Sequence, residues 1–282
     1  MENRERRGKS VRNLWVLLGL LVLGGCQDPS ATVENPAPDP YASTASADIE
    51  QTKAEHEGDD ERLYALMKNQ DFSKALDYAT RINKRFPNDE LVPQARYISS
   101  LMLSGAATTQ SVVSDRIIET TDKFTGVTFY NHKLRGLLQD MSLHMADTDF
   151  YFGDPLNVYV AARDGTPHLC IEVTYTSSAW LFPNGVIVLA DNTRFERYGL
   201  DFIDQRSTIA DSDMRLSEKA HWEATVRDVE MLQAISSASL SQLRICGRSD
   251  NRDFYLTAYD KLMVQDMLTT FTSLGGQLPK EN

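Results

Sequence analysis

The spacing of apolar residues changes once along this chain, and that change constrains the fold more than any other feature. From Asp60 to about Gly105 the positions Leu63, Leu66, Met67, Phe72, Ala75, Leu76, Ala79 and Ile82 recur every three or four residues, the repeat of helices with one buried face. Residues 109–121, with Val112, Val113, Ile117 and Ile118 on one side, continue the helical reading. Beyond Asp122 the period falls to two, the repeat of strands. Candidate strands are 124–131, 156–163, 169–176, 186–190 and 194–198, the last entered through an Asp191-Asn192 turn. Residues 222–239 predict a strand and a short helix, and 240–247 with 254–256 a hairpin around Asp250-Asn251. Thr257-Ala258-Tyr259-Asp260 has the form of a capping box. It opens a last helix with Leu262, Val264, Leu268, Phe271 and Leu274 as its stripe, stopped by Gly275-Gly276. The expected fold is α+β: a helical hairpin region over 59–121, then a mostly antiparallel, β-sandwich-like domain with a C-terminal helix over 122–276, and a tail over 277–282.

The start of the chain concerns destination. Arg4, Arg6, Arg7, Lys9 and Arg12 precede the ten-residue apolar run 14–23, and Gly24, Gly25 and Cys26 follow. A basic region, a short apolar core and small residues make a secretory signal. The run falls well short of the roughly 20 residues that a permanent membrane helix needs. Leu23-Gly24-Gly25-Cys26 resembles the lipobox of bacterial lipoproteins. The resemblance implies removal of residues 1–25, lipidation of Cys26 on sulfur, and acylation of its new amine by a chain such as palmitate. Gln27 stands where an Asp favours retention in the inner membrane, which implies an outer-membrane anchor facing the periplasm. At about 0.8 kcal/mol per buried methylene, two or three acyl chains hold a protein on a bilayer essentially permanently. Residues 26–58, with Pro29, Pro36, Pro38 and Pro40 among Ser, Thr, Ala and acidic residues, read as a disordered tether with a mean reach of roughly 30 Å.

After residue 25 the chain carries 24 Lys and Arg against 38 Asp and Glu, a formal charge of −14. Its basic residues form no stripe, which argues against nucleic acid or an anionic membrane face as partner. With 41% apolar residues the chain has material for a real core. Within the helical region, Asn69-Gln70-Asp71-Phe72-Ser73-Lys74-Ala75 and Phe86-Pro87-Asn88-Asp89 look like the inter-helix turn and closing proline of a degenerate tetratricopeptide repeat, with Ala75 and Pro87 twelve positions apart. The resemblance covers one repeat plus a helix over 93–104. A lone repeat cannot bury its own face. These helices therefore either cap the neighbouring domain or offer a concavity to a peptide.

With Cys26 assigned to lipid, Cys170 and Cys246 remain, an even number for an oxidising compartment. Each sits in an alternating strand, on the face opposite the aliphatics. If the strands are antiparallel neighbours with the cysteines opposed, Glu172 falls opposite Arg244. Such a bridge would close about 75 residues and stabilise by roughly 4–5 kcal/mol; the other outcome is two separate buried thiols.

No zincin histidine pair, nucleophile elbow, phosphate-binding glycine loop or paired CxxC is present. The candidate metal ligands are Asp140, His144, Asp147, Asp149 and Asp154, with Asp140 and His144 one turn apart on a helix and the others folding back as a hard-cation shell. Asp201, Asp204, Asp211 and Asp213, with Arg206 and Arg215 interleaved, form a second acidic stretch read as a connecting loop; two carboxylates set about 5–10 Å apart would be needed for glycan hydrolysis. His132, His168 and His221 are isolated. His168 and Cys170 share a strand face, a thiol–imidazole arrangement that competes with a plain polar face. Trp180, Phe182 and Trp222 supply either a binding platform or sheet core. The expectation is a lipid-anchored, non-catalytic envelope protein that binds another envelope protein, with no cofactor. The alternatives are a periplasmic hydrolase acting on envelope glycan or peptide, and a lipoprotein that sequesters a protein ligand on its β-domain.

Overall fold

A computed structural model of the protein describes residues 42–87, 89, 91–105, 115–144, 155–177, 179–209 and 213–278. Contacts divide the chain after Asp48, and the body beginning at Ile49 carries everything that follows. Three helices come first: α1 (Ala42–Lys68), α2 (Phe72–Arg85) and α3 (Leu91–Ser104). Gln70, at φ +58, turns the chain between α1 and α2. Their apolar faces, carrying Leu63, Met67, Ala79, Ile82, Ala95 and Ile98, meet Leu134, Leu138 and Met141 of α4 (Lys133–His144) and Tyr259, Leu262 and Met263 of α6 (Ala258–Ser273). The face that could have formed a peptide concavity is thus covered by the chain's own helices.

Among the described residues, ten strands make two antiparallel sheets. The larger has the order β1-β2-β3-β4-β8-β7 and the smaller β10-β9-β5-β6. The first contains β1 (Ile117–Thr121), β2 (Thr128–His132), β3 (Leu156–Arg163), β4 (Thr166–Ser177), β7 (Ile203–Ile209) and β8 (Asp213–Glu223). The second contains β5 (Pro183–Ala190), β6 (Thr193–Tyr198), β9 (Ser241–Gly247) and β10 (Asn251–Leu256). The chain lays down a β1–β4 meander, crosses to the second sheet for β5 and β6, and returns to place β8 beside β4. After α5 (Val226–Ser237) it crosses again to set β9 beside β5. At the β3–β4 hairpin Asp164 and Gly165 take φ +52 and +77, the paired positive angles of a two-residue turn whose twist matches its strands.

One hydrophobic core joins the sheets to α5 and α6. It includes Val158, Val160, Leu169, Ile171 and Val173 from the larger sheet, Val186, Val188, Leu243 and Ile245 from the smaller, Leu232 and Ile235 from α5, and Val264, Met267, Leu268 and Phe271 from α6. Both late helices open with the capping box that their sequences encode, Thr225 with Asp228 and Thr257 with Asp260. Because α6 contributes its first turns to the helical core and the rest to the sheet core, it belongs to both. The α+β expectation holds, with helices first, a β-rich region after them and a helix at the end.

Three sequence expectations need correction. Residues 117–121 are a strand, not the end of a helix, because Ile-Ile-Glu-Thr-Thr is β-branched at four of five positions and pairs along its whole length with β2. The acidic stretch read as a loop supplies β7 and the start of β8. The segment read as tether up to residue 58 is helical from Ala42, after the last of its prolines. Among the described residues no helix is long and apolar enough to cross a membrane.

Candidate functional site

The chain crosses from the larger sheet to the smaller between Ser177 and Pro183, and the crossing is pinned from three sides. Glu218 on β8 is buried, and its two carboxylate oxygens accept the backbone N–H groups of Leu181 and Phe182 at 2.7 and 2.8 Å. Arg248 N–H donates to the Leu181 carbonyl at 3.3 Å. Gly247 lies so close that a Cβ there would meet that same carbonyl oxygen at 2.5 Å. Held in this way, Phe182 adopts φ +52, a conformation that bulky side chains rarely occupy. Leu181 points into the core at 5% exposure while the Phe182 ring turns outward at 52%.

The outward ring has company. Trp180 stacks on it with centroids 6.1 Å apart and planes 27° apart, and the Arg248 guanidinium lies 5.8 Å from its centroid. A stacked aromatic pair with a cation over the Phe182 ring suits a flat apolar group, such as a proline or aromatic side chain of a partner. The third ring of the expected platform does not join it. Trp222 is buried in the sheet core, covered by the Arg197 guanidinium at 5.1 Å, and Arg197 is itself paired with Asp228 at 2.5 Å.

At the other end of β4 a cleft of 690 Å³ opens among His168, Glu223, Val226, Val229, Phe271 and Leu278. Its lining mixes apolar and polar groups, with Gln277 beside His168 and Glu223, whose Nδ1 and Oε1 are 2.7 Å apart. A small apolar molecule with a hydrogen-bonding head would fit such a lining. Cys170 opposes Glu223 in the β4–β8 register, but its thiol donates to the His168 carbonyl oxygen at 3.7 Å, while the imidazole turns to Glu223. Burial raises the Cys170 pKa, with Tyr159 offsetting part of the effect. The net shift runs away from the thiolate that an activated nucleophile needs.

Of the two outcomes open for the cysteines, the structure has the separate thiols. Cys170 lies on β4 of the larger sheet and Cys246 on β9 of the smaller, and both are free thiols. Alternation reveals which face a cysteine occupies but not which strand runs beside it. Glu172 opposes Asn157 and His221 and meets Arg135 and Lys219 at 3.4 Å each, while Arg244 pairs with Asp253 through two contacts of 2.6 Å.

The acidic candidates do not form a site among the described residues. Asp140 is exposed on α4, His144 ends that helix, and Asp147, Asp149, Asp154 and Asp211 lie outside the described residues. Asp204 pairs with Glu218 and Asp213 with Ile209, which puts the two backbones about 17 Å apart along the ladder at about 3.4 Å per residue. Side chains that could share a metal ion lie elsewhere, on α1 and just before α3.

His132, isolated in sequence, belongs to a buried joint. Asp266, fully buried on α6, receives Arg116 Nη1 at 3.0 Å and His132 Nε2 at 3.1 Å, while Leu134 N–H donates to His132 Nδ1 at 3.1 Å. That last bond places the neutral imidazole's proton on Nε2, where it donates to the carboxylate. Arg116 also donates to the Gly105 carbonyl just after α3, so the joint ties both cores together. Sequence reasoning missed Asp266, although a carboxylate at the fourth position after Leu262 on an apolar stripe was a readable signal. The chain matches no protein-family model, no curated protein and no solved structure.

Proposed function

We propose that this is a lipid-anchored, non-catalytic protein of the cell envelope, held by Cys26 on the outer membrane and facing the periplasm, which binds another envelope protein through the Trp180–Phe182–Arg248 platform. The supporting observation is Phe182 itself. A positive φ at a bulky residue costs of order 1–3 kcal/mol, yet here a buried carboxylate on another strand enforces it. Energy is thus committed to a conformation that turns an aromatic ring towards solvent. The covered apolar face of α1 to α3 argues for placing recognition on the platform instead of on the repeat-like helices. A carboxylate hydrolase finds no support in the dispersed positions of Asp140, Asp204 and Asp213.

The test is photocrosslinking in intact cells, with a photoreactive residue beside Arg248, comparing the wild type with Cys26→Ala and with Trp180→Ala/Phe182→Ala. The reading expects one adduct that depends on both the anchor and the rings, with all forms equally folded by circular dichroism. An adduct of undiminished yield from the ring variant would refute the platform; one of undiminished yield from Cys26→Ala would refute the need for the anchor.

A further inference from the structure

His56 and Asp60 stand one turn apart on the same face of α1, and Asp89 immediately precedes α3. Their donor atoms all lie within 4.8 Å of one another. His56 Nε2 is 2.5 Å from Asp89 Oδ2 and 3.9 Å from Asp60 Oδ2. Two of the ligands are oriented by their surroundings. The other oxygen of Asp89 accepts the N–H groups of Leu91 and Val92 at 2.6 and 2.9 Å, capping α3. The His56 ring packs on Phe86 with centroids 4.3 Å apart. Asp60 is buried, while the His56 side chain remains 33% exposed, so the cluster can be reached from solvent.

The side chains of Asp60 and Asp89 also hydrogen-bond each other, so all three side chains converge on one point. We propose that His56, Asp60 and Asp89 form a binding site for Zn²⁺, with a fourth position left to water or an incoming ligand. One nitrogen and two carboxylate oxygens suit this borderline cation, whereas Ca²⁺ seeks six to eight oxygens. Tetrahedral bonds of about 2.1 Å set donors roughly 3.4 Å apart, so the 2.5 Å contact opens by about 0.9 Å and the widest, within 4.8 Å, closes by up to about 1.4 Å. Occupancy fastens α1 to the start of α3. The site stands apart from the aromatic platform, and neither reading depends on the other.

The test uses the full chain in detergent, stripped with chelator and titrated with Zn²⁺ by calorimetry and thermal unfolding. The wild type is expected to bind one ion per chain, with the unfolding midpoint rising by roughly 5–10 °C when free metal exceeds Kd about a hundredfold. His56→Gln and Asp60→Asn, which keep size and hydrogen-bonding capacity, are expected to weaken binding by about 10- to 100-fold, while the exposed His221→Ala leaves it unchanged. Co²⁺ in place of Zn²⁺ is expected to give visible absorption bands that Zn²⁺ abolishes. Absence of binding at millimolar Zn²⁺, equal binding by folded variants, or equal stabilisation by Ca²⁺ would overturn the site. Should a variant fail to fold, the wild-type Co²⁺ spectrum decides, and its absence overturns the proposal.

Discussion

Glu218 shows how much a single side chain can fix in this protein. Its two oxygens each take one backbone N–H of the sheet-crossing segment, and a glutamine can offer only one acceptor while turning an NH₂ against the other donor. Glu218→Gln is therefore expected to cost about 2–3 kcal/mol in denaturant unfolding, the range for a buried charge-assisted bond lost with its partner left unmet. Asp266 follows the same logic. Asp266→Ala strands Arg116 in the interior and is expected to cost about 3–5 kcal/mol, while Arg116→Met/Asp266→Leu, which removes both charges, recovers most of it. At this scale the sequence was partly legible. It named Phe182, Trp180, His132 and the cysteines as residues of interest, but their partners are distant in sequence, 134 positions for His132 and Asp266, and no local pattern carries that information. His56 fell in a stretch read as tether, so its pairing with Asp89 could not be seen.

The elements were more legible where local chemistry is strong. Both capping boxes form as encoded, and Thr257→Ala is expected to lower stability by about 1 kcal/mol through the loss of the hydroxyl that accepts Asp260 N–H. The β5–β6 turn makes a pH-dependent contribution. Asp191 accepts the N–H groups of Leu240 and Ser239 at 2.9 and 3.1 Å, and these bonds hold its carboxyl below the ordinary 3.8. A depressed folded-state pKa means stability present above the ordinary value and lost as pH falls through the depressed one. Asp191→Asn tolerates the same φ of +47 and removes the charge. Melting temperatures followed down to about pH 2 should show the wild type ahead at neutral pH and the gap narrowing below 3.8. A constant gap would mean that the charge contributes nothing. Strands β1 and β7 escaped the sequence reading for a physical reason: both lie at an edge of the larger sheet, where one strand neighbour suffices and the apolar alternation that marks a central strand is weak.

For the molecule as a whole, the sharing of α6 between two cores predicts one cooperative unfolding event. Far-ultraviolet circular dichroism, weighted towards α1 to α3, and fluorescence dominated by Trp180 and Trp222 of the β-rich region should give coincident denaturant curves; two separated transitions would contradict this. The assignment of strands to two interleaved sheets was beyond the sequence, because each hairpin is local but its neighbour is chosen by packing around α5 and α6. The same arrangement orders events during synthesis. Residues 258–273 leave the ribosome after every other described element, yet both cores require them. Until they emerge, every earlier element stays without its common support, so the chain is kept from locking prematurely, and a product that stops short of Thr257 leaves two unfinished interiors instead of one finished domain.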